Sequence, residues 1–241
     1  MDSIEAISSG SKSGVGVLDK SVAILAFLSG GGPASLADVA GGTGLPRPTA
    51  HRLLSALETH HLVSRQDGRY VLGLRLLGWG NRAAGVSLVG RALPVLEGLR
   101  DESGESTQLY VREGEHRVCV ASVERVTGLR DSVPVGAVMP LSRGSAGKIL
   151  LAFAPSGVDE GPDAAGLRGI RVRGWAQSVA EREVGVASVS APVFGEDGRT
   201  RAAVSISGPI SRLTESPGQR LSHLVVDAAR KIESTPNTES T

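Results

Sequence analysis

The chain has 241 residues, with 26 lysines and arginines against 25 acidic residues and a formal charge of +1 at pH 7. Neither a strongly basic nor a strongly acidic balance therefore selects its partners, and the length suits one large domain or two moderate ones. There is no run of about eighteen apolar residues, and the first residues lack a basic-then-apolar export pattern, which predicts a cytoplasmic chain without membrane contact. Cys119 is the only cysteine. It excludes an intrachain disulfide framework and any cysteine-based metal cluster, and its flanking Val118 and Val120 predict a buried small hydrophobe.

In chain order, Leu18, Val22, Leu25 and Leu28 predict an amphipathic first helix, which Gly30-Gly31-Gly32-Pro33 ends. Ser35 is an N-cap candidate for a second helix with Leu36, Val39 and Ala40 on its apolar face, and Gly44 supplies the turn. Pro46 and Pro48 stand where a first helical turn tolerates proline, since those N–H groups lack intrahelical partners. Ala50, Leu53, Leu54 and Leu57 then form a core-facing stripe at helical spacing. Arg47, Thr49, His51, Arg52 and Ser55 face the other way, and guanidinium, hydroxyl and imidazole groups at a helix N-terminal end match the needs of a major groove. The competing reading is an ordinary helical hairpin with a solvated polar face.

Leu62 to Leu72 reads as two short strands about Asp67-Gly68, with Leu62, Tyr70 and Leu72 facing inward. Such a hairpin after a recognition helix is a wing, and Arg65 and Arg69 near its tip would reach a phosphate backbone or minor groove. Between Pro46 and Arg75 stand Arg47, Arg52, Arg65, Arg69 and Arg75 against Glu58 and Asp67. That modest excess predicts weak, salt-sensitive nonspecific binding, with dimerisation needed for tight site recognition.

Leu74 to Ala84 is a predicted linker helix whose Trp79 and leucines suit a second subunit or its own domain, with a break at Asn81 to Gly85. Ser87 is expected to cap a helix carrying Leu88, Ala92, Val95, Leu96 and Leu99, ending near Ser103-Gly104. Thr107 to Arg112 pairs with Arg117 to Ser122, and Gly185 to Phe194 with Thr200 to Ser207. Val133 to Leu141 reads as extended, Ala146 to Phe153 as a short helix, and Pro217 to Ile232 as a closing helix with Leu221, Leu224, Val225 and Ala228 inward. Strands mixed with helices grouped at both ends predict an α+β fold. The polar tails Met1 to Ser13 and Ser234 to Thr241 are expected to be disordered.

Five ordered motifs carry a resemblance to the IclR-type transcriptional regulators. Gly44-Leu45-Pro46-Arg47-Pro48-Thr49-Ala50-His51-Arg52-Leu53-Leu54 resembles the family's recognition helix, and Asp67-Gly68-Arg69-Tyr70-Val71-Leu72-Gly73 its wing. Pro134-Val135-Gly136 with Gly144-Ser145-Ala146-Gly147-Lys148-Ile149-Leu150 is similar to its effector loop and helix. Gly174-Trp175-Ala176 through Glu183-Val184-Gly185-Val186 is similar to a second pocket segment, and Ala203-Val204-Ser205-Ile206-Ser207-Gly208-Pro209 to the terminal strand. The resemblance implies an N-terminal winged helix-turn-helix over residues 15–73, a linker over 74–86, and a C-terminal GAF-like α+β effector-binding domain over 87–233. It further implies homodimers or tetramers that bind double-stranded operator DNA as repressor or activator. Within the family, the chain is most similar to a branch tied to amino-acid metabolism, notably leucine biosynthesis.

The expected DNA-contacting set, read from the outward face of the recognition helix and the wing, is Ser35, Arg47, Pro48, Thr49, His51, Arg52, Arg65 and Arg69. The resemblance implies that the effector-contacting set is Ser145, Ala146, Ser178, Ser188, Ser205 and Ser207, for a small-molecule effector such as an amino acid or small carboxylic acid. The residues agree in part: Ser205 and Ser207 share one face of a strand, and Ser145 near a helix N-terminus could join backbone N–H groups around a carboxylate. Two positions depart from the family's best-known pattern, with Ser178 where an acidic residue stands and Ser188 where a thiol stands, so a less charged pocket is expected. The stretch between Phe153 and Ile170 is also short for the family, which leaves part of the pocket wall in question. Ordinary sheet hydrogen bonding is the competing reading for these serines.

An enzyme reading fares worse. Gly144-Ser145-Ala146-Gly147 misses the Gly-x-Ser-x-Gly elbow because position 143 is Arg, and no histidine is placed beside a nucleophile. His60-His61 lacks the carboxylate or thiol that would complete a metal site, and Gly30-Gly31-Gly32 lacks the Lys-Ser/Thr of a phosphate loop. No metal and no cofactor are expected. A ligand-sensing interaction module without DNA binding is the remaining alternative.

Overall fold

The computed structural model describes residues 13–84, 86–154 and 164–234. Apart from Ser13 and Ser234, the tails expected to be disordered lie outside the described residues, as do Gly85 and the centre of the short stretch before Ile170. The chain divides into two compact units, Met1–Ala83 and Ala84–Thr241.

In the first unit, helices α1 (Gly16–Gly30), α2 (Leu36–Thr43) and α3 (Arg47–Thr59) precede a hairpin of β1 (Val63–Gln66) and β2 (Arg69–Leu72), followed by α4 (Arg75–Ala84). The hairpin pairs antiparallel with Val63 opposite Leu72, and a bridge joins Ala34 to Tyr70. Ser35 caps α2 reciprocally: its hydroxyl accepts from the Asp38 N–H, and its own N–H donates to the Asp38 carboxylate. Such a box removes two orphan donors at the helix start. Gly44 ends α2 in the left-handed region at φ 69, where a Cβ would be strained, and this lets α3 leave at a new angle.

The core of this unit is Ile24, Leu28, Val39, Leu53, Leu54, Leu57, Val63 and Tyr70. The α3 stripe is thus buried as its spacing predicts, but the expected α1 stripe is corrected. Leu18 and Val22 are about half exposed, whereas Ile24 and Leu28 are buried. Ile24 and Leu28, four residues apart, share one helix face, and the face carrying Leu18 and Val22 is left outside.

The second unit holds α5 (Val86–Ser103), β3 (Ser106–Glu113), β4 (His116–Val123), β5 (Val138–Pro140), α6 (Ser145–Ala152), α7 (Ala164–Arg173), β6 (Ala176–Val179), β7 (Val186–Phe194), β8 (Thr200–Pro209), α8 (Ile210–Leu213) and α9 (Pro217–Ser234). Three expectations change here. Ser87 lies inside α5 rather than at its cap, the extended stretch from Val133 contracts to a three-residue strand, and α7 and β6 are additional elements.

Six strands form one sheet in the order β5-β4-β3-β8-β7-β6, with every pairing antiparallel. Side chains alternate across a strand, so the sheet has two unlike faces. Leu109, Ala121, Ala187, Val189, Ala191, Val204 and Ile206 join Leu96, Leu99, Leu221 and Val225 of α5 and α9 in a large apolar core. On the other face, Tyr110, Cys119, Ala176 and Ala203 pack with Ile149 and Leu150 of α6 and Leu167 and Ile170 of α7. That second face also carries the serines.

Candidate DNA-binding and effector sites

Pro46 caps α3 and Pro48 sits in its first turn, so the helix starts with backbone donors that proline leaves out without loss. Arg47, Pro48, His51 and Arg52 are exposed, while Thr49 is half-buried. Among the described residues no side-chain hydrogen bond or ion pair is formed by Arg47, His51 or Arg52. These side chains are therefore at liberty to contact a polyanion or base edges.

The wing arginines are differently placed. Arg65 donates through Nη2 to the Tyr70 hydroxyl at 2.8 Å, stacks 4.6 Å from the Tyr70 ring centre and pairs with Glu58 at 3.3 Å. Arg69 donates to the Pro33 carbonyl at 3.1 Å and approaches Asp38 at 4.0 Å. Both remain surface groups, so these contacts orient rather than bury them. The Ser35 hydroxyl is committed to the α2 cap, and hydrogen bonds from the Ser35 backbone and hydroxyl hold the Asp38 carboxyl below the usual carboxylate range, with a smaller contribution from Arg69.

In the second unit, directly opposed residues on neighbouring strands share a face. Ser178 lies opposite Ser188, Ser188 opposite Ser207 and Ser190 opposite Ser205, and Ser205 opposite Gln108. A lane of hydroxyls thus crosses the sheet under the start of α6. Ser145, the first residue of α6, lies 2.7 Å from the Ser188 hydroxyl and 2.7 Å from that of Ser190. Ser190 donates to Ser205 at 2.9 Å, and Ser207 donates to the Gln108 side-chain oxygen at 3.1 Å. Gly147 lets α6 pack against the chain leaving β5, because a Cβ there would overlap the Leu141 carbonyl.

A cavity of about 20 Å³ is lined by Ser145, Ala146, Ser178, Ser188, Ser205 and Ser207. All six residues predicted for the effector are thus gathered around one small space, enough for about one water molecule. Tyr110, Arg117, Asp131 and Arg182 line the same space, so ionised groups reach it from elements other than those that carry the serines. Arg117 is 3% exposed. Its guanidinium donates to the Pro140 carbonyl and to the Arg143 carbonyl at 2.6 Å, and stands 5.5 Å from the Tyr110 ring centre.

Burial, with the nearby Arg182 charge as a smaller cause, lowers the affinity of Arg117 for its proton. Burial also pushes the Tyr110 hydroxyl well up, so it stays a neutral donor at pH 7. The Cys119 thiol is pushed up to about 12 by burial, which makes it a packing group rather than a reactive thiolate. Lys148 pairs with Glu181, whose carboxylate also accepts from the Gly144 N–H at 3.2 Å. Glu181 thereby ties the turn after β6 to the N-terminus of α6.

Residues 17–67 match the IclR helix-turn-helix domain, and residues 82–160 and 164–234 match the bacterial transcriptional regulator IclR C-terminal domain. The chain belongs to the IclR family. The glycerol operon regulatory protein of Streptomyces griseus is 35% identical, covering 89% of this chain and 94% of its own length. The HTH-type transcriptional repressor AllR of Escherichia coli K12 is 30% identical, covering 91% of this chain and 89% of its own. The crystal structure of Thermotoga maritima IclR matches with a TM-score of 0.70 at 26% identity, over 90% of this chain and 97% of that one.

This IclR-family chain is accordingly a DNA-binding transcriptional regulator with an effector-sensing domain. No described helix is long and apolar enough to cross a membrane, and no group of metal-ligating side chains occurs among the described residues. Sequence reasoning missed Gln108, Tyr110, Arg117, Asp131, Arg182 and Ser190 near the serine-lined cavity. Ser190 alone had a local signal, standing two residues after Ser188 and therefore on the same face of a strand.

Proposed function

We propose that this regulator responds to a small carboxylic or amino acid held in the serine-lined cavity of its second unit. The observation that carries this is the charge of the cavity wall: Arg117 and Arg182 face it against the single carboxylate of Asp131, an excess of positive charge that suits an anion. Ser145, Ala146, Ser178, Ser188, Ser205 and Ser207 supply hydroxyls and the start of α6, whose backbone N–H groups favour a carboxylate.

On DNA, Arg47, Pro48, Thr49, His51 and Arg52 read an operator half-site, Arg65 and Arg69 steady the wing at the backbone, and Ser35 holds the α2 N-terminus in place. Leu18 and Val22 of α1 and Leu74, Leu77 and Trp79 at α4 are apolar and exposed, which supports covering by a second copy in a homodimer or tetramer. The reading places the protein in the cytoplasm with its DNA. Effector control then requires different effector affinities in the DNA-bound and DNA-free states.

The test is a salt-titrated binding assay on DNA from the protein's own upstream region against scrambled DNA. It is run with and without amino acids and small carboxylic acids, leucine and related branched acids first. Saturable preference for the upstream DNA that one class of acid changes is the expected result. A preference that no acid alters would overturn the effector reading, and no preference at any salt would overturn the DNA reading for that region.

A further inference from the structure

The cavity is already occupied in a chemical sense by the chain itself. The Arg182 guanidinium donates through Nη2 to both carboxylate oxygens of Asp131, at 2.5 and 2.6 Å. The two residues are 51 positions apart, one on the segment between β4 and β5 and the other on the turn between β6 and β7. Asp131 is only 6% exposed, and the Arg182 guanidinium is its ion-pair partner. Glu183 lies further from the same guanidinium, at 3.8 Å, and is largely exposed.

The second guanidinium is used differently. Arg117 is bound to main-chain carbonyls, and among the described residues its buried Nε has no hydrogen-bond partner. Gln108 Nε2, beneath the serine lane, is buried and unpartnered as well. The Arg117 Nε in the wall, with Gln108 Nε2 outside the lining but next to the serine lane, leaves donors suited to an anion, while the free space, about 20 Å³, is too small for even a two-carbon acid.

We propose that Asp131 is a tethered occupant of Arg182, and that an effector carboxylate enters by taking the place of the Asp131 carboxylate on that guanidinium. This rests on the effector reading above and deepens it. The exchange keeps Arg182 paired, and the Asp131 carboxylate, having lost its cation, moves out to water rather than staying buried and bare. It also selects the ligand: a compact monocarboxylate with a short apolar or hydroxylated body matches one guanidinium and a row of serines. Because Asp131 is attached to the chain, its competition reduces the apparent affinity for every such ligand in proportion to the fraction of molecules in which Asp131 is released. Its release frees the segment between β4 and β5, which gives binding a structural consequence at a distance from the ligand.

The test uses the full chain and sodium acetate and propionate as probes, with sodium chloride at equal ionic strength as control, read by calorimetric titration. Asp131→Asn is expected to bind propionate about tenfold more tightly than the natural chain, and the combined variant Asp131→Asn with Arg182→Ala to lose that gain. Unchanged or weaker binding by Asp131→Asn, or no binding by either protein, overturns the proposal. Should Asp131→Asn not fold, hydrogen exchange of the natural chain decides. Saturating propionate should lower the protection of residues 130–133, and unchanged or raised protection overturns the exchange. The effector reading fails separately, when no acid alters DNA binding by the natural chain even though Asp131→Asn binds propionate tightly.

Discussion

The outward face of α3 and the serine-lined face of the large sheet are both rich in polar side chains, yet they are arranged in opposite ways. On α3, Arg47, His51 and Arg52 extend into solvent with no side-chain partner among the described residues. On the sheet, Ser145, Ser190 and Ser205 bond one another, and Arg117 and Arg182 are held by carbonyls and a carboxylate. The difference follows from solvation: water satisfies an exposed polar group until a partner arrives, whereas a buried one must find its partner within the chain. On the proposed reading, a site on α3 would bind by adding contacts and the buried site by exchanging them.

The largest expected effect separates two arginines. Arg117→Ala removes a buried guanidinium from the Pro140 and Arg143 carbonyls and should cost about 2–3 kcal/mol of stability in urea unfolding. Arg52→Ala should stay within about 0.5 kcal/mol, as surface changes do. Equal losses in the two variants would break the comparison. Arg47→Ala sharpens it from the other side, with an expected loss of about 1–3 kcal/mol in operator binding if Arg47 contacts a base. A uniform fall on operator and scrambled DNA would assign Arg47 to a phosphate instead.

A smaller effect is expected where the buried polar groups are neutral. Ser205→Ala combined with Ser207→Ala removes the bonds to Ser190 and Gln108 and should cost about 1–2 kcal/mol in unfolding. It should alter the effector response while leaving ligand-free operator binding intact. Failure of that double variant to fold would show that the hydroxyls serve the sheet and not a ligand.

How far each region can be read from the chain follows the same division. α3 is local: its stripe of Ala50, Leu53, Leu54 and Leu57, its prolines and Gly44 all act within one helical hairpin, and the structure buries the stripe. The exposed half of α1 was harder, because Leu18 and Val22 are apolar and only tertiary packing decides which side of a helix is covered. The serine-lined cavity is half local. Its serines sit on strands whose alternation is visible, but Arg117, Asp131 and Arg182 converge from β4 and from two loops, and no spacing along the chain announces a contact between loops. β6 and α7 were missed for a related reason: β6 is four residues long, and α7 carries two glycines among scattered apolar residues, so neither has a strong period.

Ser35 gives the smallest and most discriminating effect, because it belongs to the exposed region yet is already bonded within the chain. Ser35→Ala removes the hydroxyl that accepts from the Asp38 N–H and should cost about 1 kcal/mol of stability. The Asp38 carboxyl is held down first by the Ser35 backbone N–H, which alanine keeps, and second by the Ser35 side chain, so it should titrate only part of the way back toward the ordinary carboxylate value when followed by NMR. The sign is fixed by linkage: a carboxyl with a lowered folded value stabilises above its unfolded value and loses that contribution as pH falls through the folded one. The variant should therefore show a weaker acid-side dependence of stability than the natural chain. If Ser35 acts on DNA only by holding α2, operator affinity should fall no further than the helix is loosened; a larger fall with unchanged unfolding would make the hydroxyl itself a contact.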